Sequence, residues 1–485
     1  MHASGPDLDS RLARGVAWTV AAKWSVQVLS WGSMLVLARL LSPSDFGLVG
    51  MASVYLGLVS MVSEFGLSSA VLNLQTLSQW QIRQLNTFSL LLGVAAFLVS
   101  LAASVPLSRF FQTPHLAPVL ALMSLSFIFA GLRTVPGGLL QRQMRFKELS
   151  LLEAAQALSQ VLCSLSLAAL GFGYWAIAVG NVVSSAVWAA LTMLLAPQSF
   201  SKPDYASTRP ALVFGSHMLV SRIAWYLHSN ADFVIAGRLF GQGPLGAYTV
   251  AWNLASMPVE KITNIVTRVT PSAFAAVQKE NAQVQRYFLG ISEVLAFVTF
   301  PASFGLALVA PDLVPLALGP QWGAAVLPLQ LLACAASIRS ISTLYAQVLA
   351  AVGATRFVMT NSLFALIVMP SAFWIGSRWG LPGIACAWII GHPISTTPIL
   401  LYTLRRIHLP LRQYAAAIAP PFLGSVAMAA AVILLHEAGS SSLPAAVRLA
   451  LDVAAGSAVY FLFFLLLFRD RARRYARLLQ SFKAG

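Results

Sequence analysis

Long apolar segments follow one another along the chain, separated by short polar or Gly/Pro-containing connections. Each segment has about 20 residues, the length that an α-helix needs to cross the hydrocarbon core of a bilayer. The connections between the segments mark the helix ends. Helices are predicted near residues 14–40, 45–72, 86–108, 115–138, 150–170, 174–196, 211–237, 245–272, 287–310, 323–349, 357–377, 382–404, 413–435 and 445–468. The pattern therefore predicts an all-α polytopic membrane protein with 14 transmembrane helices.

The composition favours the same fold class. The chain is 58% hydrophobic and only 9% charged, with a mean hydropathy of +0.77. A soluble protein of 485 residues could not cover its surface with so few charged side chains. The first ten residues lack the basic region and cleavage site of a signal peptide, so we expect the first helix to stay in the mature protein. The three cysteines lack metal-ligand spacing, so we expect no metal site and no disulfide framework.

The net charge of +16 is distributed unevenly across the predicted membrane. Twenty of the 31 lysines and arginines fall on the side of the two termini, and only five fall on the opposite side. Cytoplasmic loops of membrane proteins carry such an excess of basic residues, so both termini are predicted to be cytoplasmic. Topology thus accounts for the positive charge, and we expect no nucleic-acid partner.

An internal duplication relates the two halves of the chain. Lys23 and Arg222 lie 199 residues apart in apolar segments, and the same offset relates the segments Arg39–Gly47 and Arg238–Gly246. Two further boundary matches, 171–176 with 380–385 and 145–146 with 356–357, have offsets of 209 and 211. Helices 1–6 are therefore predicted to repeat as helices 7–12 in the same orientation.

The duplication predicts three parts of the chain. Residues 1–200 form an N-lobe with helices 1–6, and residues 201–410 form a C-lobe with helices 7–12. Residues 411–485 add helices 13 and 14 and a basic cytoplasmic tail. No sequence motif assigns a role to the two additional helices.

Three motifs resemble those of a known family. They are the segment Ala38–Leu48 between helices 1 and 2, the segment Glu64–Leu67, and the basic segment Leu140–Lys147 before helix 5. Together with the arrangement of six, six and two helices, they resemble the polysaccharide-transport flippase branch of the multidrug/oligosaccharidyl-lipid/polysaccharide (MOP) exporter superfamily. The likeness is greatest to the colanic-acid-exporter and succinoglycan-transport-like lipopolysaccharide biosynthesis proteins.

The resemblance implies a MATE/MOP-like fold and a transport function. It implies export of undecaprenyl-(pyro)phosphate-linked oligosaccharide repeat units across the bacterial inner membrane, by alternating access between two six-helix lobes. The exported units would serve exopolysaccharide, capsule or O-antigen synthesis. The expected partners are the lipid-linked oligosaccharide, membrane lipid and the polysaccharide polymerase or export machinery.

Basic residues inside the predicted helices are the first candidates for a binding site. A charge at the centre of a bilayer costs roughly 2.5–3.5 kcal/mol, so such residues usually have a function. Six basic residues are assigned to the interior of the predicted helices: Lys23, Arg133, Arg222, Lys261, Arg268 and Arg339. We expect them to line a central cationic cavity that binds the (pyro)phosphate, with Gln27 and Asn264 as polar lining. Snorkelling to the surface is the alternative for Lys23 and Arg268, and a structural bond to helix-end carbonyls is the alternative for Arg222.

Acidic residues inside the predicted helices suggest ion coupling. Glu64 and Asp232 are the acids best placed to exchange H⁺ or Na⁺ with the cationic cavity, and ion pairing is their alternative role. No other cofactor is expected. Glu293 is predicted to be a solvated helix flank, and Asp452 is predicted to pair with Arg448 four residues earlier.

Other functions remain open at this stage. A peptidoglycan-precursor flippase would need the same cationic cavity. A cation-coupled multidrug exporter of the same fold would need a cavity dominated by carboxylates. Here the basic residues are predicted to lie deeper in the membrane than the acidic residues, which disfavours this function. A membrane glycosyltransferase or polymerase is a more remote alternative, because the chain has no nucleotide motif, metal-ligand cluster or nucleophile–base spacing. The protein is therefore not expected to be an enzyme.

Overall fold

The computed structural model describes residues 26–64, 67–74, 77–202, 204, 223–277, 280–438 and 443–468. These residues are almost entirely helical and include no β-strand. The helices of the first half are α1 (Val26–Leu40), α2 (Pro43–Glu64), α3 (Leu67–Asn73), α4 (Gln79–Phe110), α5 (Leu116–Ser124), α6 (Ser126–Arg142), α7 (Phe146–Ala169), α8 (Tyr174–Leu195), α9 (223–229) and α10 (Ala231–Phe240). The remaining helices are α11 (Gln242–Val277), α12 (Asn281–Ala317), α13 (Val326–Ala351), α14 (Thr355–Gly376), α15 (Gly380–Arg406), α16 (Leu411–Glu437) and α17 (Ala445–Leu467).

The predicted all-α membrane fold is confirmed. Within the described residues, ten helical stretches are long and apolar enough to cross a membrane. Helical residues occur in each of the fourteen predicted segments. The count of 14 transmembrane helices itself stays a prediction, because several segments extend into residues that the structure does not describe.

Two helices are clearly longer than the hydropathy pattern predicts. A capping box starts α4 well before residue 86: the Ser78 hydroxyl accepts from the Gln81 N–H at 3.2 Å, and the Gln81 side chain accepts from the Ser78 N–H at 2.9 Å. The other helix, α12, continues through Pro311 and Pro315 to Ala317 instead of ending at residue 310. Prolines are tolerated in membrane helices because neighbouring groups satisfy the freed carbonyls.

The chain divides into two compact units, Met1–Gly246 and Ala247–Gly485. In the first unit, α4 packs on α6, α7 on α8, and α2 on α4 and α5. Leu67, Leu85 and Val135 are fully buried in a core that joins α3, α4 and α6. The predicted division into residues 1–200, 201–410 and 411–485 stays a prediction.

In the second unit, α12 packs on α13, and α14 packs on α15. Its core includes the buried rings of Phe288, Tyr345 and Tyr414. The Phe288 and Tyr414 rings stack at 5.5 Å, and the two tyrosine hydroxyls share a hydrogen bond of 2.8 Å. The additional helices α16 and α17 pack on each other and on α12.

Polar contacts join the C-terminal ends of α12 and α16 to the first turns of α17. The Arg448 Nε donates to Asp312 Oδ2 of α12 at 2.6 Å, and a second guanidinium nitrogen donates to Oδ1. Asp452, which is completely buried, pairs through Oδ2 with His436 Nε2 of α16 at 2.8 Å. The Asp452 charge acts on Arg448, as predicted, but the hydrogen-bonded partners of the two residues lie on neighbouring helices, an arrangement that spacing along one helix does not reveal.

Candidate functional site

The duplicated boundary motif before α2 forms a cap that ties two helices together. Asp45 Oδ2 accepts hydrogen bonds from the Ser42 N–H at 2.9 Å and from its hydroxyl at 2.6 Å. The other oxygen, Oδ1, accepts from the Tyr174 N–H at 3.0 Å, at the first residue of α8. The start of α2 is thereby fixed to the start of α8. The motif thus has a structural explanation that does not involve a ligand.

The duplicated motif also brings two glycines into reciprocal contact. Gly47 is the fifth residue of α2, and Gly246 is the fifth residue of α11. A Cβ on Gly47 would lie 2.9 Å from the Gly246 nitrogen and closer still to the Gln242 carbonyl. A Cβ on Gly246 would lie 2.9 Å from the Gly47 nitrogen and closer still to the Pro43 carbonyl. Only glycine allows the two backbones to approach so closely.

Arg133 lies in α6 with its guanidinium stacked on an indole. The guanidinium carbon is 3.8 Å from the ring centre of Trp188 in α8, and both side chains are half-buried. Glu64, at the end of α2, acts electrostatically on the Arg133 charge. A cation–π contact of this kind contributes about 0.5–2 kcal/mol, which offsets part of the cost of placing arginine in a membrane.

Arg339 in the second unit has a similar environment. Its guanidinium carbon is 4.2 Å from the Trp252 ring in α11 and 5.0 Å from the Trp388 ring in α15. The two indole centres are themselves 5.0 Å apart. One turn along each helix, Ser342 and His392 share a hydrogen bond of 3.1 Å. Aromatic rings of α11 and α15 therefore surround a cation of α13.

The structure describes the other four candidate basic residues only in part. Lys23 and Arg222 lie outside the described residues. Lys261 is in α11 and is half-buried. Arg268 is also in α11, but its side chain lies outside the description. Whether these four residues share one cavity with the two stacked arginines stays a prediction.

The structure also describes the two candidate polar residues only in part. Gln27 is half-buried in α1. Asn264 lies in α11, with its side chain outside the description.

The acidic candidates differ in burial. Glu64 is exposed at the last residue of α2, whereas the Asp232 side chain in α10 is completely buried. Asp232 Oδ1 accepts from the Phe233 N–H at 3.0 Å. Glu293 is only 7% exposed, so the prediction of a solvated flank is wrong. The reason is that α12 begins at Asn281, which places Glu293 about three turns inside the helix.

The sequence did not identify Trp188 and Trp388 as parts of a site. Each lies in an apolar helix that is separated from its arginine by about 50 residues of sequence. The available signal was a tryptophan well inside a helix, away from the interfacial positions that this residue usually occupies.

Sequence comparisons place the chain among proteins of polysaccharide biosynthesis. The family described as "Polysaccharide biosynthesis protein" matches residues 36–327. The lipopolysaccharide biosynthesis protein WzxC of Escherichia coli (strain K12) is 26% identical over 403 residues, with 80% of each chain covered. The succinoglycan biosynthesis transport protein ExoT of Rhizobium meliloti (strain 1021) is 25% identical over 468 residues, covering 96% of this chain and 94% of ExoT.

Structural comparisons show the fold. The lipid II flippase MurJ in an inward closed conformation has a TM-score of 0.79 at 14% identity, covering 94% of this chain and 100% of MurJ. An inward-facing multidrug resistance MATE transporter of the MOP superfamily has a TM-score of 0.66 at 16% identity, covering 79% of this chain and 94% of that one. The MATE/MOP-like fold predicted from the motifs is confirmed.

Proposed function

We propose, because the chain belongs to the polysaccharide biosynthesis protein family, that it is a flippase for undecaprenyl-(pyro)phosphate-linked oligosaccharide repeat units. Relatives that are matched over most of their length include a succinoglycan biosynthesis transport protein, which supports transport of a polysaccharide precursor. The single observation that carries the proposal is the presence of arginines inside apolar helices, each held on tryptophan.

The chemistry of the stacked arginines fits a phosphate head group. The cation–π contacts recover about 0.5–2 kcal/mol, less than the roughly 2.5–3.5 kcal/mol cost of a central charge, so stacking alone does not explain the arginines. A phosphate forms charge-assisted hydrogen bonds with guanidinium, and these bonds are strong where water is scarce. Arg133 and Arg339 are therefore proposed to bind the head group, together with Lys23, Arg222, Lys261 and Arg268.

The proposed transport uses alternating access and ion coupling. Glu64 and Asp232 are the proposed sites at which H⁺ or Na⁺ is exchanged, and Gln27 and Asn264 are the proposed polar lining. The protein is multi-pass, and we place it in the bacterial inner membrane with both termini in the cytoplasm. We expect the exported units to pass to a polysaccharide polymerase or export machinery. No catalytic step is part of this function.

A peptidoglycan-precursor flippase is the second candidate. Its lipid carries the same kind of phosphate head group, so a cationic site does not distinguish the two. The likeness to MurJ is one of fold, and it leaves the sugar part of the substrate unassigned. The test below separates the two substrates by the lipid that accumulates.

Depletion of the protein in its host tests the proposed function. The lipid-linked repeat unit of the surface polysaccharide should accumulate in the cytoplasmic leaflet, measured by leaflet-resolved labelling of its sugars. Re-expression of the full chain should restore the outer-leaflet pool and the surface polysaccharide. Accumulation of a peptidoglycan precursor instead would favour the second candidate, and an unchanged distribution of both lipids would contradict both flippase functions.

A further inference from the structure

Arg133 is oriented by the indole on which it lies. Its guanidinium carbon is 3.8 Å from the Trp188 ring centre, and α6 packs directly on α8. A guanidinium carries its five N–H donors in its own plane. Stacking on the flat face therefore uses none of these donors and fixes the plane in which they point.

The donors of Arg133 are available to a ligand. Within the described part of the chain, no side chain or carbonyl accepts a hydrogen bond from its guanidinium, and the nearby Glu64 acts on it only through its charge. A planar guanidinium edge matches two oxygens of a phosphate, because two parallel N–H groups can donate to them at once. A guanidinium that lies flat on the indole can therefore present its edge to an oxyanion.

The second unit also places a guanidinium against indole rings. Arg339 lies between the Trp252 and Trp388 rings, at 4.2 and 5.0 Å. Trp388 is only 4% exposed, so it is positioned to act through Arg339 and not by touching a ligand itself. An arginine in α6 or α13, held by a tryptophan in α8 or α15, therefore occurs once in each unit.

We propose that Trp188 and Trp388 are positioning residues that hold Arg133 and Arg339 edge-on to a phosphate of the substrate. This inference rests on the proposed function, which supplies the phosphate. It predicts that the planar shape of the arginine side chain, and not only its charge, is required at positions 133 and 339. Lysine carries a point charge on a flexible stem and has no plane to stack, so it cannot replace arginine there.

Binding of geranylgeranyl diphosphate to the purified full chain in detergent tests the proposal. Arg133→Lys and Trp188→Leu should each raise the Kd by about tenfold, as expected when a charge-assisted contact is lost. Trp188→Phe keeps an aromatic face and should bind within about threefold of the unsubstituted chain. The double variant Arg133→Lys/Trp188→Leu should bind no more weakly than either single variant, because the tryptophan acts only through the guanidinium.

Trp175→Leu is the matched control, since it makes the same exchange in the same helix α8 at a tryptophan that packs on Tyr174. Its Kd should be unchanged. Both indoles contact Arg339 in the second unit, so the corresponding set is Arg339→Lys, Trp252→Leu/Trp388→Leu and Trp252→Phe/Trp388→Phe, with the same expected order. Any variant is compared only if its size-exclusion profile and melting temperature match those of the unsubstituted chain. Where the leucine variant fails this requirement, Trp188→Met, which also lacks an aromatic face, replaces it in the single and double variants.

Losses that add in the double variant would overturn the positioning role, as would an unchanged Kd in Trp188→Leu while the unsubstituted chain binds the probe. Tight binding by Arg133→Lys would also overturn it, because charge alone would then suffice. A chain that transports repeat units and binds the probe without depending on Trp188 would leave the proposed function intact. An unsubstituted chain that neither binds the probe nor transports would contradict both.

Discussion

At the residue scale, the described part of the molecule shows how a membrane helix accommodates arginine. Arg133 and Arg339 are half-buried, and each lies on indole faces. The ring quadrupole attracts the cation without requiring water, so the side chain remains charged in apolar surroundings. An arginine that keeps its charge in this way can bind an anionic head group.

Charge at positions 23 and 222 is expected to be required for export, with side-chain shape secondary. Lys23→Arg and Arg222→Lys should keep partial export, because either group can hold a delocalised phosphate. Lys23→Ala, Arg222→Ala and Arg222→Glu should abolish it, since loss of a charge-assisted contact weakens binding roughly tenfold to a hundredfold. Surface polysaccharide is measured at matched membrane levels of each variant. Normal polysaccharide from Arg222→Glu would contradict a role for this cation.

Neutralising the acids is expected to alter ion coupling. Glu64→Gln or Asp232→Asn removes a group that could carry H⁺ or Na⁺, so the dependence of transport on the ion gradient should change. Transport into vesicles is measured with the proton gradient and the sodium gradient collapsed separately. If both variants keep the gradient dependence of the unsubstituted chain, the two acids are structural.

The residues of the site could be predicted only in part. An arginine inside an apolar segment stands out in the sequence, because its charge contrasts with its neighbours, and Arg133 and Arg339 were predicted in this way. The interior positions of Trp188 and Trp388 were a signal, but the sequence alone does not pair either tryptophan with an arginine. Their importance depends on which face of α8 and α15 meets α6 and α13, which is a property of tertiary packing.

At the scale of elements, helices α16 and α17 are attached to α12 by polar contacts at one end and by aromatic packing along their length. Arg448 binds Asp312 of α12, and the Tyr460 hydroxyl donates to the Phe297 carbonyl of α12 at 2.8 Å. Met428, Tyr460 and Phe464 form a buried cluster with α12. The additional helices are thus built into the second unit.

The Arg448–Asp312 pair is expected to stabilise this attachment. Arg448→Gln or Asp312→Asn should lower the melting temperature in detergent, because each leaves the other charge without its partner. The double variant should melt above either single variant, since no unpaired charge remains. Arg378→Gln, which changes an exposed arginine, is the control and should leave the melting temperature unchanged. Equal melting temperatures of the unsubstituted chain, the two single variants and the double variant would show that the ion pair contributes nothing to stability.

Helix boundaries were the least predictable elements. Hydropathy detects the apolar part of α4 but not the polar turn Gln79–Asn86 that the Ser78 cap adds to it. It also ended α12 at residue 310, just before Pro311, although the helix continues to Ala317. Both errors arise because local hydrogen bonding and neighbouring helices, and not hydrophobicity, determine where a helix ends.

At the scale of the whole molecule, the fold class followed from two global properties. Apolar runs of membrane-spanning length predicted the helices, and three boundary matches together with the Lys23/Arg222 offset predicted an internal repeat. These properties are averaged over many residues, so errors in single boundaries do not affect them. The orientation in the membrane depends in addition on the number of crossings.

Reporter fusions are expected to show an even number of crossings. A fusion after Gly485 and one within residues 202–209 should report cytoplasm, because these regions carry the basic excess. A fusion after Gly319 should report the opposite side. Activity of paired reporters, one active on each side of the membrane, is measured for each fusion. Opposite labelling at any of the three sites would contradict the fourteen-helix topology.

The reciprocal contact of Gly47 and Gly246 has a consequence for suppressor genetics. Each glycine faces a main-chain carbonyl, of Gln242 or Pro43, so the obstacle to a larger residue is the backbone itself. No second substitution can make that obstacle smaller, and the partner position is already glycine. A defect caused by Gly47→Ala could therefore be relieved only by changes that shift α2 or the start of α11 as a whole. Revertants of such a variant would restore glycine or map to the surroundings of these two helices.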